Sequence, residues 1–472
     1  GAEHPDTLIA VGSLAVTLKD LRRFDEAEAL YRRALAGREA RHGPTHPKTV
    51  LAVWRLGAIP IPVNRSLPED KMSFILTQSD PHLGLVEPSA TPAPGAPEHL
   101  IVFPEELAGE PGTAVQVLDD DDAMILYTSG TTGVPKGVLH SHAALALNAV
   151  EMSRMLRLTP EDRLFLNIPL CYSNSISHLL MALFNGSCIC ASFGFLFGSA
   201  LLEKTAEHRA TGFAGVPAHY VRIADAISEG VATPKLRFLM NSGDHLPIDV
   251  LKALVDGFPG TDVFCVYGIS ECAPRVCCLS PESLAQKMGS VGKPLPATEI
   301  EVVDSNGKTA RAGDIGEVYV RSRCLMKEYF RAPEVTAQSM SERGFKTGDM
   351  GYLDEDGDLW LTGRYDAVFK SGGEKVSCRL IEETLRDSDL FRDSMSDAVV
   401  LAINDHFMGK VACIYYVANK ACTVDERQVR RYLAQRLPAS HVPNQFIALR
   451  EIARSPSGKV VKAGLTDPQN RG

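Results

Sequence analysis

The chain has 472 residues, of which 45% are hydrophobic and 23% charged, a composition that excludes a mostly disordered or fibrous protein. Its formal net charge of −9 argues against nucleic acid as a partner, because phosphate binding needs a concentrated basic surface. At roughly 150 residues per domain, the length predicts about three domains.

The first 47 residues predict a helical hairpin. The tetrapeptide HPDT at residues 4–7 recurs as HPKT at 46–49, and apolar residues recur at helical spacing between them. The segment resembles one tetratricopeptide repeat of the kind found in kinesin light chains. Because a single repeat cannot bury its own apolar face, we expect this one to pack on the following domain, on a protein partner or on further repeats.

From about residue 50 the sequence alternates short β-rich runs with helical segments. Strands are predicted at 124–128, 164–168, 212–215, 236–240 and 262–267. Helices are predicted near 141–156, 199–210, 217–228 and 248–257. This alternation predicts a parallel sheet covered by helices. Short strands and turns follow residue 298, and a compact mixed α/β region closes the chain after a hinge at Gly363-Arg364.

One uncharged stretch, residues 179–202, is long enough to cross a bilayer. Because Asn185-Gly186 interrupts it, we predict a buried helix, a turn and a buried strand rather than a transmembrane segment. The 11 cysteines form no C-x-x-C pair, and the start of the chain has no signal-peptide pattern. Reduced, mostly buried thiols and a cytoplasmic location are therefore expected.

The strongest chemical signal is YTSGTTGVPKGV at residues 127–138. A predicted strand enters a loop with three glycines and four hydroxyl side chains, and Lys136 follows. Exposed backbone N–H groups, hydroxyls and an ammonium group can all meet phosphate oxygens. The spacing of a Walker A loop is absent and Pro135 precedes the lysine, so a different phosphate-binding loop is predicted.

This loop resembles the signature of the adenylate-forming superfamily, which comprises AMP-forming acyl-CoA synthetases, nonribosomal-peptide adenylation domains and luciferases. Further motifs resemble the family's in its order: YGISE at 267–271, GSVGKPLP at 289–296, TGDMGYLDEDGDLWLTGR at 347–364, DAVFKSGGEKVS at 366–377 and PSGKVVK at 456–462. The resemblance as a whole runs from about residue 50 to 467.

The resemblance implies a large α/β adenylate-forming domain and a small mobile α+β C-terminal domain, preceded by one α-helical hairpin repeat. The implied boundaries are 1–47 for the hairpin, 48–364 for the AMP-binding domain and 365–472 for the mobile domain. The active site is expected in the cleft between the large and small domains. Relatives usually carry additional strands and helices where the hairpin stands here, so the first subdomain is shortened. A natural fusion, a fragment and a misassembled reading frame would each explain why the hairpin stands in place of those elements.

The resemblance also implies the roles of individual residues. Glu271 would ligate a Mg²⁺ that bridges phosphates, and Lys459 would bridge the substrate carboxylate and the α-phosphate; Thr128 and Lys136 complete the implied catalytic set. Tyr267 would stack on adenine or line the acyl pocket, and Asp349 would accept both ribose hydroxyls. The implied nucleotide- and CoA-binding residues are Thr128, Ser129, Gly130, Thr131, Thr132, Gly133, Lys136, Tyr267, Gly268, Ser270, Asp349, Arg364, Lys370, Gly372 and Gly373.

The sequence departs from the family at the acyl pocket. The run PLCYSNS at 169–175 places Tyr172 where relatives commonly carry a histidine or aromatic residue, and Cys171 replaces the usual aromatic. His178 is expected to be a packed helix residue rather than a substitute. Further pocket residues are expected in the segments 213–217 and 241–245.

The sequence therefore predicts an ATP-dependent, AMP-forming carboxylate–CoA ligase. Its small-molecule partners would be ATP, a small carboxylic acid and CoA, with Mg²⁺ as the metal, and the N-terminal repeat would offer a site for a protein partner. Two alternatives stay open: an adenylation enzyme that loads a carrier protein, and a protein-binding scaffold with an inactive, shortened synthetase domain.

Overall fold

The computed structural model describes residues 53–54, 57–64, 67, 69–81, 84–86, 100–102, 116–128, 134–192, 196, 198–364, 368–371, 374–405, 408–419, 422–453, 460 and 465. The predicted hairpin lies outside them, and the predicted domain boundaries stay predictions. The described residues form two compact units. The first unit contains those up to residue 194 together with 269–275 and 322–338, and the second contains the remainder.

The helices are α1 Glu69–Ser79, α2 His142–Met155, α3 Ser173–Asn185, α4 Gly198–Glu207, α5 Pro217–Ser228, α6 Ile248–Gly257, α7 Pro281–Leu284, α8 Pro333–Ser339, α9 Cys378–Arg386, α10 Asp389–Ser394 and α11 Glu426–Ala434. The strands are β1 Gly84–Val86, β2 Leu100–Val102, β3 Asp122–Thr128, β4 Lys136–Ser141, β5 Arg163–Leu166, β6 Cys188–Ala191, β7 Gly212–Gly215, β8 Phe238–Ser242, β9 Asp262–Tyr267, β10 Cys277–Leu279, β11 Lys293–Pro294, β12 Thr298–Val303, β13 Gly316–Ser322, β14 Glu328–Tyr329, β15 Met340–Ser341, β16 Gly344–Leu353, β17 Leu359–Arg364, β18 Val368–Ser371, β19 Glu374–Ser377, β20 Met395–Asp405, β21 Gly409–Ala418 and β22 Gln445–Ala448.

In the first unit, β3 and β4 form an antiparallel hairpin, and β14 adds to the other edge of β4. The strand predicted at 124–128 exists, but its expected place in a parallel sheet was wrong, because its partner is the next strand along the chain. Helix α2 starts directly after β4, where the Ser141 hydroxyl accepts a hydrogen bond from the Ala144 N–H.

The uncharged stretch at 179–202 contains the predicted helix, turn and strand, but the prediction of a buried strand was wrong: only Cys190 of β6 is buried and Cys188 is exposed. Helix α3 ends at Gly186, which adopts the left-handed conformation at φ +69°, and β6 follows and pairs in parallel with β5. Within the described residues, none of the helices has the length and apolar character needed to cross a membrane.

The second unit contains the predicted parallel strands. Strands β7, β8 and β9 pair in parallel, and β10 and β11 continue the sheet in antiparallel sense. Every residue of β7 and β8 is buried, because both faces of such a sheet are covered. The carboxyl ends of β7 and β8 lie side by side, with Gly215 opposite Asn241.

Three further sheets lie in the second unit; one is the antiparallel pair of β18 and β19, and the other two are larger. Strands β12, β13, β16 and β15 form one in that order, and β17 pairs with the other part of β16. Strands β20, β21 and β22 form the other, in which β20 and β21 are antiparallel and helices α9 and α11 share its apolar core. This C-terminal mixed α/β region matches the prediction made for the end of the chain.

A glycine beside β11 tests how closely the second unit is packed. Gly292 has φ +75°, and an added Cβ would lie 2.2 Å from the Cys278 carbonyl oxygen. We therefore expect Gly292→Ala to lower the free energy of unfolding by about 2–5 kcal/mol, through backbone strain and a clash with rigid backbone. Gly260→Ala is the matched control: φ is +79° and the space is open, so only about 1–2 kcal/mol should be lost. Equal losses in urea unfolding would contradict the predicted clash.

Candidate active site

The two ends of the predicted phosphate-binding loop are held together in the first unit. Thr128, the last residue of β3, is paired with Lys136, the first residue of β4, and the Thr128 hydroxyl lies 3.5 Å from the Lys136 carbonyl oxygen. The loop residues Ser129, Gly130, Thr131, Thr132 and Gly133 lie outside the described residues. The hairpin thus fixes where the loop begins and ends.

Glu271 lies in a short 3₁₀ turn, Ser270–Cys272, in the same unit. Its Oε1 accepts a hydrogen bond of 2.7 Å from the hydroxyl of Tyr329 in β14, and its carbonyl oxygen accepts one of 2.8 Å from the Met326 N–H. The Tyr329 ring also lies against Lys136, whose Nζ is 5.1 Å from the ring centroid. One buried tyrosine therefore contacts both the predicted metal ligand and the predicted phosphate-binding lysine.

A buried histidine fixes the turn that carries Glu271. His140 Nε2 donates to the Ser270 carbonyl oxygen at 2.8 Å, and the hydroxyls of Ser270 and Ser173 are 3.1 Å apart. Complete burial lowers the pKa of His140 to about 4, so the ring is neutral near pH 7. The neutral ring carries its proton on Nε2, as a bond to a carbonyl oxygen requires.

The donor set at this turn fits a magnesium ion. Mg²⁺ is usually held by one or two carboxylates together with substrate phosphates and water. Glu271 supplies a carboxylate with one oxygen already oriented by Tyr329, in a unit that also holds the lysine and both ends of the phosphate-binding loop. The predicted metal residue is therefore compatible with its surroundings.

A second cluster, in the second unit, surrounds Asp349. Its Oδ2 accepts from the Tyr267 hydroxyl at 2.5 Å, and its Oδ1 accepts from Arg364 Nη1 at 3.1 Å. Asp349 and Arg364 face each other across β16 and β17, and the Asp349 N–H donates to the Thr347 hydroxyl. Each carboxylate oxygen has two lone pairs, so both can accept a further hydrogen bond from a ribose hydroxyl.

Tyr267 is buried and makes a contact that the sequence did not predict. Its hydroxyl donates to the Asp349 carboxylate, and the role expected of its ring, stacking on adenine or lining the acyl pocket, stays a prediction. Burial and the adjacent Asp349 charge raise the pKa of Tyr267 well above its usual value, so the phenol keeps its proton. It is thus a permanent donor to Asp349.

The departure from the family at Tyr172 gives a partly buried phenol in the first unit. Its hydroxyl accepts from Asn64 Nδ2 at 3.1 Å, and burial raises the pKa of Tyr172 to about 12. His178 is buried, donates from Nδ1 to the Asn174 carbonyl oxygen at 2.6 Å and has its pKa lowered to about 3 by burial. The prediction that His178 is a packed helix residue is confirmed.

The predicted pocket segment 241–245 contacts the C-terminal region within the second unit. Arg379 of α9 donates to His245 Nδ1 at 2.7 Å, and His245 Nε2 lies 3.3 Å from Glu383 Oε1. Burial and the Arg379 charge lower the pKa of His245 to about 3, so the ring is neutral. The Nδ1 must accept because a guanidinium only donates, and Nε2 then carries the proton toward Glu383.

Several predicted site residues fall outside these clusters. Gly268 links Tyr267 to the turn of Glu271 along the chain, and Lys370 belongs to β18. Gly372, Gly373 and Lys459 lie outside the described residues. Sequence reasoning missed Tyr329 and His140, whose importance follows only from contacts with Glu271 and Ser270. The cysteine prediction is confirmed: all 11 are free, and most are buried.

Comparison with known proteins identifies the family. The model of the AMP-binding enzymes matches residues 40–330, and that of a tetratricopeptide repeat matches residues 7–48. The chain belongs to the family of AMP-binding enzymes. The two matches overlap at residues 40–48, a range that includes the boundary predicted between the hairpin and the AMP-binding domain at residues 47 and 48.

Named relatives and solved structures indicate which class of AMP-binding enzyme the chain resembles. A sulfoacetate–CoA ligase of Cupriavidus necator is 28% identical, over 90% of this chain and 85% of that protein. A 2-succinylbenzoate–CoA ligase of Bacillus licheniformis is 29% identical, over 88% and 86%. The o-succinylbenzoate CoA synthetase of Bacillus subtilis, solved with the acyl-adenylate intermediate OSB-AMP, has a TM-score of 0.79 and 27% identity, with 89% of this chain and 85% of that chain covered. The same enzyme has also been solved with ATP and a magnesium ion, at a TM-score of 0.77 and 26% identity, over 89% and 86%.

These findings confirm the predicted superfamily, the α/β adenylate-forming fold and the enzyme class, an AMP-forming carboxylate–CoA ligase. They also confirm ATP, Mg²⁺ and CoA as the cofactors of that class. The roles of individual residues remain predictions.

Asp349 gives a direct test of the second cluster. Asp349→Asn keeps the shape but removes the charge that strengthens hydrogen bonds to ribose, so we expect kcat/KM for ATP to fall about 10- to 100-fold. Discrimination between ATP and 2′-deoxy-ATP should shrink as well. Asp356→Asn, which removes an exposed charge just after β16, is the control and should leave both quantities unchanged. Unaltered discrimination in Asp349→Asn would contradict the ribose role.

Proposed function

We propose that this enzyme activates a small carboxylic acid with ATP and transfers the acyl group to CoA. In the first step a carboxylate oxygen attacks the α-phosphorus, the bond to the bridging oxygen breaks, and pyrophosphate leaves. In the second step the sulfur of CoA attacks the acyl carbon of the adenylate. AMP leaves with the electron pair of the broken C–O bond, and the thiol proton is released.

The observation that carries this proposal is the pair of Glu271 and Lys136 at one tyrosine. Negative charge builds around the α-phosphate in the first step, and oriented cations and dipoles stabilise it. Lys136 supplies an ammonium group for phosphate oxygens, and Glu271 supplies a carboxylate for a metal. A bound Mg²⁺ would supply positive charge shared between phosphate oxygens. Tyr329 holds the two side chains against its hydroxyl and its ring.

The second cluster would bind the ribose. Asp349 is buried and already oriented by Tyr267 and Arg364, so accepting two hydroxyls requires little rearrangement. Arg364, which is partly exposed, would also meet a phosphate oxygen. Because Tyr267 remains protonated, the orientation of Asp349 should not depend on pH across the neutral range.

The choice of CoA as acceptor depends on the family resemblance and on the CoA ligases among the relatives. Lys370, Gly372 and Gly373 match the segment that meets the pantetheine arm, where glycine leaves room for close approach. We also propose that the repeat at 7–48 contacts a protein partner. We further propose a cytoplasmic location, because free cysteines are typical of proteins in a reducing compartment.

Acid-dependent pyrophosphate release tests the proposed function. We expect release only when ATP, Mg²⁺ and a suitable acid from a panel of carboxylic acids are all present, with thioester formed when free CoA is added. A reaction that needs a carrier protein instead of CoA would support the alternative enzyme. Absence of release with every acid, from a folded protein that binds ATP, would support the scaffold.

Lys459 and Gly373 should separate the two half-reactions. By resemblance Lys459 serves only the first step, so Lys459→Ala should slow adenylation about 10²- to 10³-fold and leave thioester formation from preformed acyl-adenylate close to normal. Gly373→Leu is the converse variant: adenylation should persist while thioester formation slows, since the side chain would block the pantetheine path. Equal slowing of both steps by Lys459→Ala would contradict the proposal that Lys459 serves only adenylation.

A further inference from the structure

The hydroxyl of Tyr329 touches a residue that the proposed function assigns to the metal. It donates to Glu271 Oε1 at 2.7 Å, while the side chain itself is only 4% exposed. Tyr329 lies outside the sequence motifs from which the family resemblance was inferred. Its place next to Glu271 comes instead from the pairing of β14 with β4, in which Tyr329 lies opposite Val138.

The backbone around Tyr329 is held from several directions. The Lys327 N–H donates to the Leu139 carbonyl oxygen at 2.8 Å, and the Phe330 N–H donates to that of Gly137 at 2.7 Å. The Tyr329 N–H donates to the Thr336 hydroxyl at 2.9 Å. A side chain with a fixed backbone and a buried ring presents its hydroxyl in one position, so it can orient a partner without moving itself.

Lys136 contacts a different part of the Tyr329 side chain from the part that Glu271 contacts. The ammonium group lies 5.1 Å from the ring centroid of Tyr329, within the range of a cation–π interaction, while the hydroxyl engages Glu271. One side chain is thus in contact with both charged groups, which the proposed function assigns to a nucleotide and its metal.

We propose that Tyr329 is a positioning residue for metal binding: it fixes the Glu271 carboxylate for Mg²⁺ and keeps Lys136 beside it for phosphate. The inference rests on the proposed function. Hydrogen-bond partners that orient a metal-ligating side chain typically contribute 10- to 100-fold to metal affinity. A carboxylate free to rotate would have to be ordered each time a metal binds.

Tyr329→Phe isolates the hydroxyl, because the ring and its contact with Lys136 remain. We expect the dissociation constant of Mn²⁺, measured by electron paramagnetic resonance with enzyme and a non-hydrolysable ATP analogue, to rise about 10- to 100-fold. The Mg²⁺ concentration for half-maximal adenylation should rise in parallel, with kcat largely recovered at saturating Mg²⁺. An unchanged Mn²⁺ dissociation constant would overturn the inference.

The chain offers a closely matched control. Tyr319 is also buried on a strand, and its hydroxyl lies 3.3 Å from the Glu317 carboxylate in the second unit. Tyr319→Phe removes the same group from the same kind of pair, so it should leave Mn²⁺ binding unchanged. An equal loss of Mn²⁺ binding in both variants would show a general structural effect and overturn the positioning role.

A double variant shows whether the hydroxyl acts through Glu271. Adding Tyr329→Phe to Glu271→Gln should weaken Mn²⁺ binding no further, because the oriented carboxylate is already gone. Fully additive losses would overturn the inference.

Tyr329→Leu also removes the ring over Lys136, and we expect KM for ATP at saturating Mg²⁺ to rise about two- to fivefold beyond Tyr329→Phe.

The outcome for this inference is distinct from that for the proposed function. A wild-type enzyme that shows no acid-dependent pyrophosphate release overturns the proposed function, whatever Tyr329→Phe does to Mn²⁺ binding. A wild-type enzyme with that activity, whose Mn²⁺ and Mg²⁺ dependence Tyr329→Phe leaves unchanged, overturns only the role of Tyr329.

Discussion

The pairing of β14 with β4 is the contact on which the candidate metal and phosphate site depends. It joins residues far apart in the chain, Tyr329 opposite Val138, and so helps to bring one phenol into contact with both Lys136 and Glu271. Such a long-range contact costs loop-closure entropy that only the finished fold repays. The β3–β4 hairpin is local by comparison and supplies the edge to which β14 adds.

In both clusters, polar or charged side chains of low exposure are hydrogen-bonded to neighbouring residues. An unpaired buried polar group is costly, so the partner chosen also determines the orientation. Asp349 is bonded to Tyr267 and Arg364, and the turn of Glu271 is bonded to His140. The groups that lower the cost of burial therefore also preorganise the site, and preorganisation is what electrostatic catalysis requires.

The sequence predicted single elements better than their partners. Strands β7 and β9 and helices α5 and α6 have the predicted bounds, because their apolar runs end at clear turn residues. The strand at 124–128 was placed in the wrong kind of sheet, since periodicity identifies a strand but not its neighbour. Motifs likewise pointed to Lys136, Glu271 and Asp349. They did not reveal Tyr329 or the hydrogen bond from Tyr267, because both depend on pairings between distant segments.

Charge balance explains why metal and nucleotide should bind together in the proposed reaction. Lys136 and Glu271 carry opposite charges and both contact the Tyr329 side chain, so the pair alone attracts a polyphosphate weakly. If Glu271 held a divalent cation, the net charge of the cluster would become positive, and Lys136 and the cation would both attract phosphate oxygens. Each ligand thus raises the affinity for the other by the same factor. The carboxylate of Asp349 is already paired with Arg364, and the ribose hydroxyls that it is proposed to bind are neutral, so binding there would need no such coupling.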